Sequence, residues 1–422
     1  MECPARRGRR RGALLGVALL AAPALAACGA QDSGPPTINL YHAPEQNLQT
    51  VVDDCNREAA GRYRIVYHKL PRDADGQREQ LVRRLAARDT ELDVLGLDTT
   101  WTAEFAEAGW IREWTGETKA AAARDVLPGP LESARWHGKV YAVTKNTNVQ
   151  LLWYRSDLVD QPPRTWSEMI QVAQRLAEQG KPSAILITGA QYEGLVVNYN
   201  NLVASAGGRI VSEDGTRAVV DDGAVRALRV LKDFATSGVT NPALENHKED
   251  GVRLAFQAGD GAFQINWPFV HPATKAGNPD VFRNMKWARL PGVDPGQPGR
   301  ATIGGANYAI SSYSRHPGEA FEAALCLRNP EHQKFSAVKD GVPPTIESVY
   351  DEPEIAEAYP MKETIREELK DAALRPVTPA YQNVSTVLST LLSPPSAIDP
   401  ERTAARMRTE LQDALESKGV LP

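Results

Sequence analysis

The chain has 422 residues, with 48 Lys and Arg against 53 Asp and Glu, and a formal net charge of −5. That length exceeds one ordinary hydrophobic core, so two domains are expected. An acidic balance without a basic block argues against a nucleic-acid partner, and past residue 28 no apolar run approaches the roughly 20 residues that span a bilayer.

The chain opens on a basic cluster, Arg6, Arg7, Arg9, Arg10 and Arg11, followed by an apolar run from Ala13 to Leu25. With the small residues Ala26 and Ala27 before Cys28, this reads as a signal peptide over 1–27. Its removal takes away five Arg and one Glu and leaves a more acidic chain. The tetrad Leu25-Ala26-Ala27-Cys28 resembles the lipobox of bacterial lipoproteins. That resemblance implies a lipid on Cys28, a polar tether over 28–36, and a place on the outer face of the cytoplasmic membrane.

A strand is predicted at Thr37–Tyr41, then a loop, then a helix with Leu48, Val51, Val52 and Cys55 on one face. A strand at Tyr63–Leu70, a helix at Gln77–Arg88 and a continuous apolar strand at Leu92–Leu97 follow, the opening of a wound α/β domain. Beyond residue 150, Thr165 and Glu168 form a capping box for a helix to Gln179. Strands are predicted at Ala184–Thr188, Ala262–Asn266 and Ile303–Ser311. Helices are predicted at Gly194–Ser205, Asp222–Ser237 and Pro317–Leu327, and the tail is helical with Pro-containing breaks.

Once Cys3 leaves with the signal peptide and Cys28 takes lipid, Cys55 and Cys326 remain in an oxidising compartment, able to pair or to stay buried thiols. No CxxC or HExxH occurs and the seven His show no ligand spacing, so neither a metal nor another cofactor is expected. A nucleophile elbow and a phosphate loop are also missing.

Ordered pieces across the chain carry a further resemblance. They are Leu92-Asp93-Val94-Leu95-Gly96-Leu97-Asp98, Trp101-Thr102-Ala103-Glu104-Phe105, Ala108-Gly109-Trp110-Ile111, His137 to Val143, Leu151 to Arg155, Pro162 to Trp166, Gly259 to Phe263, Asn266-Trp267-Pro268, Gly304-Gly305 and Arg375 to Pro379. The chain resembles the extracytoplasmic solute-binding proteins of carbohydrate ABC importers, of the maltose and trehalose type. Tyr192-Glu193-Gly194-Leu195, Asn266-Trp267-Pro268 and Arg375-Pro376 are most similar to trehalose-binding lipoproteins.

The resemblance implies a two-lobe α/β fold of the type II periplasmic-binding-protein kind, each lobe a mainly parallel sheet flanked by helices, with a hinge between. It places the N-lobe at 37–144 and 267–328 and the C-lobe at 145–266 and 329–422. Cys55 and Cys326 then fall in one lobe, which implies a disulfide between them. It further implies a non-enzymatic monomer that binds a neutral disaccharide or short oligosaccharide, foremost trehalose, and delivers it to membrane permease subunits. Maltose-type glucans or a glycerol-derived solute are alternatives, as is a lipid-anchored glycosidase using Asp98 and Glu193.

Sugar recognition needs forked polar groups and flat apolar faces. Asp98, just after an apolar strand, sits where ligands meet carboxyl strand ends, and it can also serve as an N-cap for the helix holding Phe105. Glu45 and Gln46 lie in the loop after the first strand, and Asn146 and Asn148 where the chain crosses lobes. Trp267, held by Pro268, offers a stacking face, and Gly304 and Gly305 allow close backbone approach. Arg375 offers a forked donor. Tyr192, Glu193 and Asn266 complete the expected substrate-binding set.

Overall fold

The computed structural model describes residues 34–418. The expected signal segment and the lipid-bearing Cys28 lie outside them. Among the described residues no helix is long and apolar enough to cross a membrane.

The strands, in chain order, are β1 (Thr37–His42), β2 (Arg64–Lys69), β3 (Val94–Asp98), the short hairpin β4 (Arg135–Trp136) and β5 (Lys139–Val140), and β6 (Ala142–Asn148). They continue with β7 (Leu151–Arg155), β8 (Ala184–Leu186), β9 (Gly261–Asn266), β10 (Met285–Ala288) and β11 (Gly304–Ile310). One sheet has the order β2-β1-β3-β11-β6 and the other β10-β7-β9-β8.

The two α/β lobes are as expected, but the sheets are mixed rather than mainly parallel. β1 runs parallel to β2 and β3, whereas β11 is antiparallel to both β3 and β6. In the second sheet β8 and β9 are parallel and β7 is antiparallel to β9 and β10. The returning strands create this mixture, because each enters its sheet from the other lobe without a helical crossover.

The elements follow from local chemistry. β3 is buried from Val94 to Leu97, and its side chains alternate between two cores, Val94 on one face and Leu95 and Leu97 on the other. The helix Ala74–Ala86 begins three residues earlier than expected because Asp73 caps it, accepting from the Gly76 amide at 2.9 Å. Thr165 caps the helix Trp166–Glu178 through the Glu168 amide at 3.1 Å, as the capping box foretells. The tail folds as Tyr381–Leu392 and Pro400–Leu415, which pack on the second lobe's core.

The lobe boundaries differ from those expected. β10 pairs with β7 over Met285–Ala288 against Leu152–Arg155, so these residues belong to the second lobe and not to the N-lobe segment 267–328. β6 stays in the first sheet through Asn148, past the expected crossing at 144/145. The crossings are pinned by buried amides. Asn201 donates to Gln150 at 2.7 Å and accepts from the Thr302 amide at 2.8 Å, and Gln333 donates to the Thr345 hydroxyl at 3.0 Å and to the Thr144 carbonyl at 3.3 Å.

Cys55 and Cys326 form a disulfide, with Cα atoms 5.9 Å apart across 271 positions of sequence. It staples the helix Leu48–Ala59 to the helix Pro317–Leu327 inside the first lobe's core. The double variant C55S/C326S is expected to lose about 2–4 kcal/mol of unfolding free energy, read by urea titration against the oxidised parent. Thiol titration of the denatured, unreduced parent should find neither cysteine free.

Candidate functional site

A cavity of about 280 Å³ lies between the lobes, at the carboxyl ends of β1 and β3. From the first lobe it is lined by His42, Glu45, Gly96, Asp98, Asn146 and Asn148, and by Arg72, Asp73 and Gln77 around the start of the helix Ala74–Ala86. Tyr192, Glu193, Glu249, Trp267 and Arg375 close it from the other side, with Gly304 and Gly305 at the crossing. The cavity therefore gathers Glu45, Asp98, Asn146, Asn148, Tyr192, Glu193, Trp267, Gly304, Gly305 and Arg375 from distant parts of the chain.

Arg375 spans the cleft. Its Nη2 donates to Asp98 Oδ1 at 2.8 Å and to the Thr99 hydroxyl at 2.9 Å in the first lobe, and its Nη1 donates to Glu193 Oε1 at 2.7 Å in the second. It is only 5% exposed, and its Nε is buried without a partner among the described residues. Burial opposes the guanidinium's charge, but Asp98, Tyr381 and Glu193 outweigh it and hold its pKa up. Asp98 spends Oδ1 on Arg375 and on the Thr100 amide and hydroxyl, at 3.0 and 2.9 Å. It does not cap the helix Thr102–Glu107, whose N-cap is Trp101.

Glu193 opens the helix Glu193–Ser205, where the helix dipole favours an acid. Its carboxylate accepts from the Tyr381 hydroxyl at 2.6 Å and from Ser385. Burial pushes its pKa up, against the pull of Arg375 and these hydroxyls. Asp98 and Glu193 are thus shared by one guanidinium.

Glu45 is held from below. Lys145, 4% exposed on β6, donates to its two carboxylate oxygens at 2.6 and 2.7 Å. Burial alone would raise the Glu45 pKa, but Lys145 and His42 more than offset it and hold the carboxyl below its usual value. Across the cavity Lys248 sits 4.8 Å over the Tyr192 ring, and burial followed by the charge of Glu249 raises the Tyr192 phenol well above its ordinary range.

Trp267 is placed by its neighbours. The Asn266 side chain accepts from the Trp267 amide at 2.9 Å and donates to the Glu249 carbonyl at 3.1 Å. Fully buried Asn266, expected in the binding set, is not among the residues lining the cavity; it orients Trp267, which is. A Cβ on Gly304 would lie 2.9 Å from the Trp267 indole, and one on Gly305, at φ +124°, would lie 2.3 Å from the Asn146 carbonyl. Both glycines let backbone and ring close on the cleft. Gln46 is also missing from the cavity. It lines an adjoining groove with Pro44, Phe269 and Pro272, because the loop turns away after Glu45.

His42, Lys145, Arg72, Gln77 and Glu249 went unread in the sequence. His42 ends β1, one position beyond the predicted strand, and its place at a carboxyl strand edge was the available signal. Lys145 sits in the polar run Lys145-Asn146-Thr147-Asn148, which carries no mark of burial.

A family model for the "Bacterial extracellular solute-binding protein" matches residues 64–334. A "Probable ABC transporter-binding protein" of Deinococcus radiodurans is 27% identical over 336 residues, covering 76% of this chain and 79% of that protein. The maltose-bound MalE3 of T. maritima superposes with a TM-score of 0.81 at 26% identity, covering 89% of this chain and 99% of that one. The GacH receptor of Streptomyces glaucescens, solved unliganded and with acarbose, gives a TM-score of 0.79 at 21% identity over 91% of this chain and 100% of its own.

Removing the cation beneath Glu45 should expose how strongly the floor of the cavity depends on it. Lys145→Met strips the cation from a carboxylate that is still 17% exposed to the cavity, an expected loss below the roughly 3–5 kcal/mol of a fully buried pair at pH 7. Without Lys145, burial raises the folded pKa of Glu45 above its unfolded value, so the deficit shrinks as pH falls from 7 to 5 and the group protonates. Urea titrations at the two pH values check both the size and the sign.

Proposed function

This chain belongs to the bacterial extracellular solute-binding proteins, and we propose that it binds a neutral disaccharide or short oligosaccharide in the interlobe cavity and delivers it to the permease of an ABC importer. The observation that carries this reading is the Arg375 bridge. One buried guanidinium joins carboxylates of both lobes at the wall of a cavity rich in oxygen acceptors, beside an indole. Hydroxyl pairs of a sugar match forked carboxylate and guanidinium groups, and the C–H face of a pyranose matches the Trp267 ring. The maltose and acarbose carried by the two structural relatives point to α-linked glucosides. Maltose and trehalose are the two disaccharides we put first, with trehalose drawn from the likeness of Tyr192-Glu193-Gly194-Leu195 and Arg375-Pro376.

The ligand works by population shift. It contacts both lobes only when they are closed and so stabilises that form, which the permease reads. A neutral ligand suits the cavity, since acidic side chains dominate its charged lining and a phosphate would meet them directly. We also propose that Cys28 carries a diacylglyceryl anchor that holds the binder near its permease at high effective concentration.

Calorimetry with maltose, trehalose, sucrose, cellobiose and maltotriose tests the ligand. Asp98→Ala and Arg375→Ala are each expected to weaken binding at least tenfold, about 1.4 kcal/mol, with circular dichroism unchanged. Unchanged affinity in both variants refutes the site. Cys28→Ser should move the protein from the membrane fraction to the medium, and retention on the membrane refutes the anchor.

A further inference from the structure

His42 is the last residue of β1 and is 2% exposed, yet it lines the cavity. Its Nδ1 lies 2.9 Å from the Ala43 carbonyl oxygen, which also accepts from the Tyr67 hydroxyl at 2.6 Å. A carbonyl oxygen only accepts, so Nδ1 carries the proton. In the neutral ring Nε2 is then a bare acceptor. That atom is buried and has no hydrogen-bond partner among the described residues.

The groups around the ring leave that acceptor open. Glu45 Oε1 is 3.9 Å from Nε2, beyond hydrogen-bond reach, and both of its oxygens are taken by Lys145. Tyr308 from β11 packs edge-on, with ring centroids 5.5 Å apart. From β3 comes Gly96, where a Cβ would lie 2.3 Å from the His42 ring, so the glycine makes the room in which the imidazole stands. The charged and titratable groups facing this corner are Glu45, Lys145, Tyr67 and Tyr308, with Asp340 behind Glu45. Burial lowers the His42 pKa, Lys145 lowers it further and Glu45 opposes them, which leaves the ring neutral near pH 7. A second acceptor on the cavity wall, Asn148 Oδ1, is likewise buried without a partner.

A buried acceptor left bare costs free energy that a donor from the cavity can relieve. We propose that His42 is a specificity-determining residue of the site, whose Nε2 accepts a hydroxyl proton from the bound sugar. This rests on the sugar reading above and sharpens it. The ligand must present a free hydroxyl at that corner, and a congener that is deoxygenated or O-methylated there is rejected. Sites built around a hydroxyl discriminate strongly against analogues without it, because the protein's own group is then stranded.

The test uses the secreted chain with maltose, trehalose and maltotriose, by calorimetry from pH 5 to 8. At pH 7.5, His42→Phe, which keeps the bulk of the ring without the acceptor, is expected to bind at least tenfold more weakly. His42→Gln, which offers an amide oxygen, should stay within a few-fold of the parent. Because burial holds the His42 pKa below the ordinary histidine value of about 6.5, parental affinity should hold through pH 6.5 and fall only further down towards pH 5, while His42→Gln stays flat over the whole range. A purely structural role would leave no such difference in pH profile. Nitrogen-15 NMR of the ligand-free parent should show the neutral Nδ1–H tautomer at pH 7.5, a readout that needs neither a variant nor a ligand. Parent-like binding by His42→Phe overturns the proposal, as does an Nε2–H or doubly protonated ring. A parent that binds none of the three sugars overturns the sugar reading instead, and the NMR result then decides whether Nε2 is an open acceptor.

Discussion

A guanidinium buried between two lobes sets the terms for everything around it. Arg375 is removed from water, so its charge must be met by carboxylates within the protein, and the two that meet it come from different lobes. Asp98 is delivered by the end of β3 and Glu193 by the start of a helix, and their separation fixes how far apart the lobes stand. The loop bearing Arg375 is itself tied to the crossing segment, through Ala373 paired with Ala301 and Ile303. Cleft width, hinge and charge balance are therefore one mechanical unit. A solute that adds hydrogen bonds to this bridge stabilises closure, and one that competes with it opposes closure.

The rigidity of the molecule is distributed accordingly. Inside the first lobe the disulfide joins two helices on one face of the sheet. Inside the second, a single large core runs from β7 to the terminal helix. Contacts between the lobes include buried amides at the crossings, the Arg375 bridge, and Gln382 reaching Asp75 at 3.3 Å, beside apolar packing of Leu127 on the second core and of Phe335 on the first. Hydrogen bonds of this kind can be exchanged for others at modest net cost, which suits a hinge.

Much of this was legible in the sequence, and the failures have physical causes. The apolar run Leu92–Leu97 and the capped helix after Thr165 announced themselves through local pattern. The family resemblance brought the cavity residues together and foresaw the bond between Cys55 and Cys326. β10 was missed because Met285-Lys286-Trp287-Ala288 is too short and mixed to show a period, and only its pairing with β7 makes it a strand. Asn266 was misplaced because its amide serves the neighbouring backbone, a choice that composition does not reveal. Lys145 and His42 were missed because burial of a charged or titratable side chain depends on partners a hundred or more residues away, or on a glycine such as Gly96 in an adjacent strand.

The position of β11 has a consequence for how the chain comes to be folded. It lies between β3 and β6, antiparallel to both, so the first sheet has a gap between those two strands until residues 304–310 arrive. Everything from β7 to β10 is threaded in between. An extracytoplasmic protein that emerges amino end first must hold β1, β2, β3 and β6 unfinished while most of the second lobe passes. Assembly of the first lobe thus waits on a distant segment, a non-local closure of the kind that slows folding. The amino-terminal lobe cannot close before residue 310, and the second lobe waits longer still, for the terminal helix Pro400–Leu415 that completes its core.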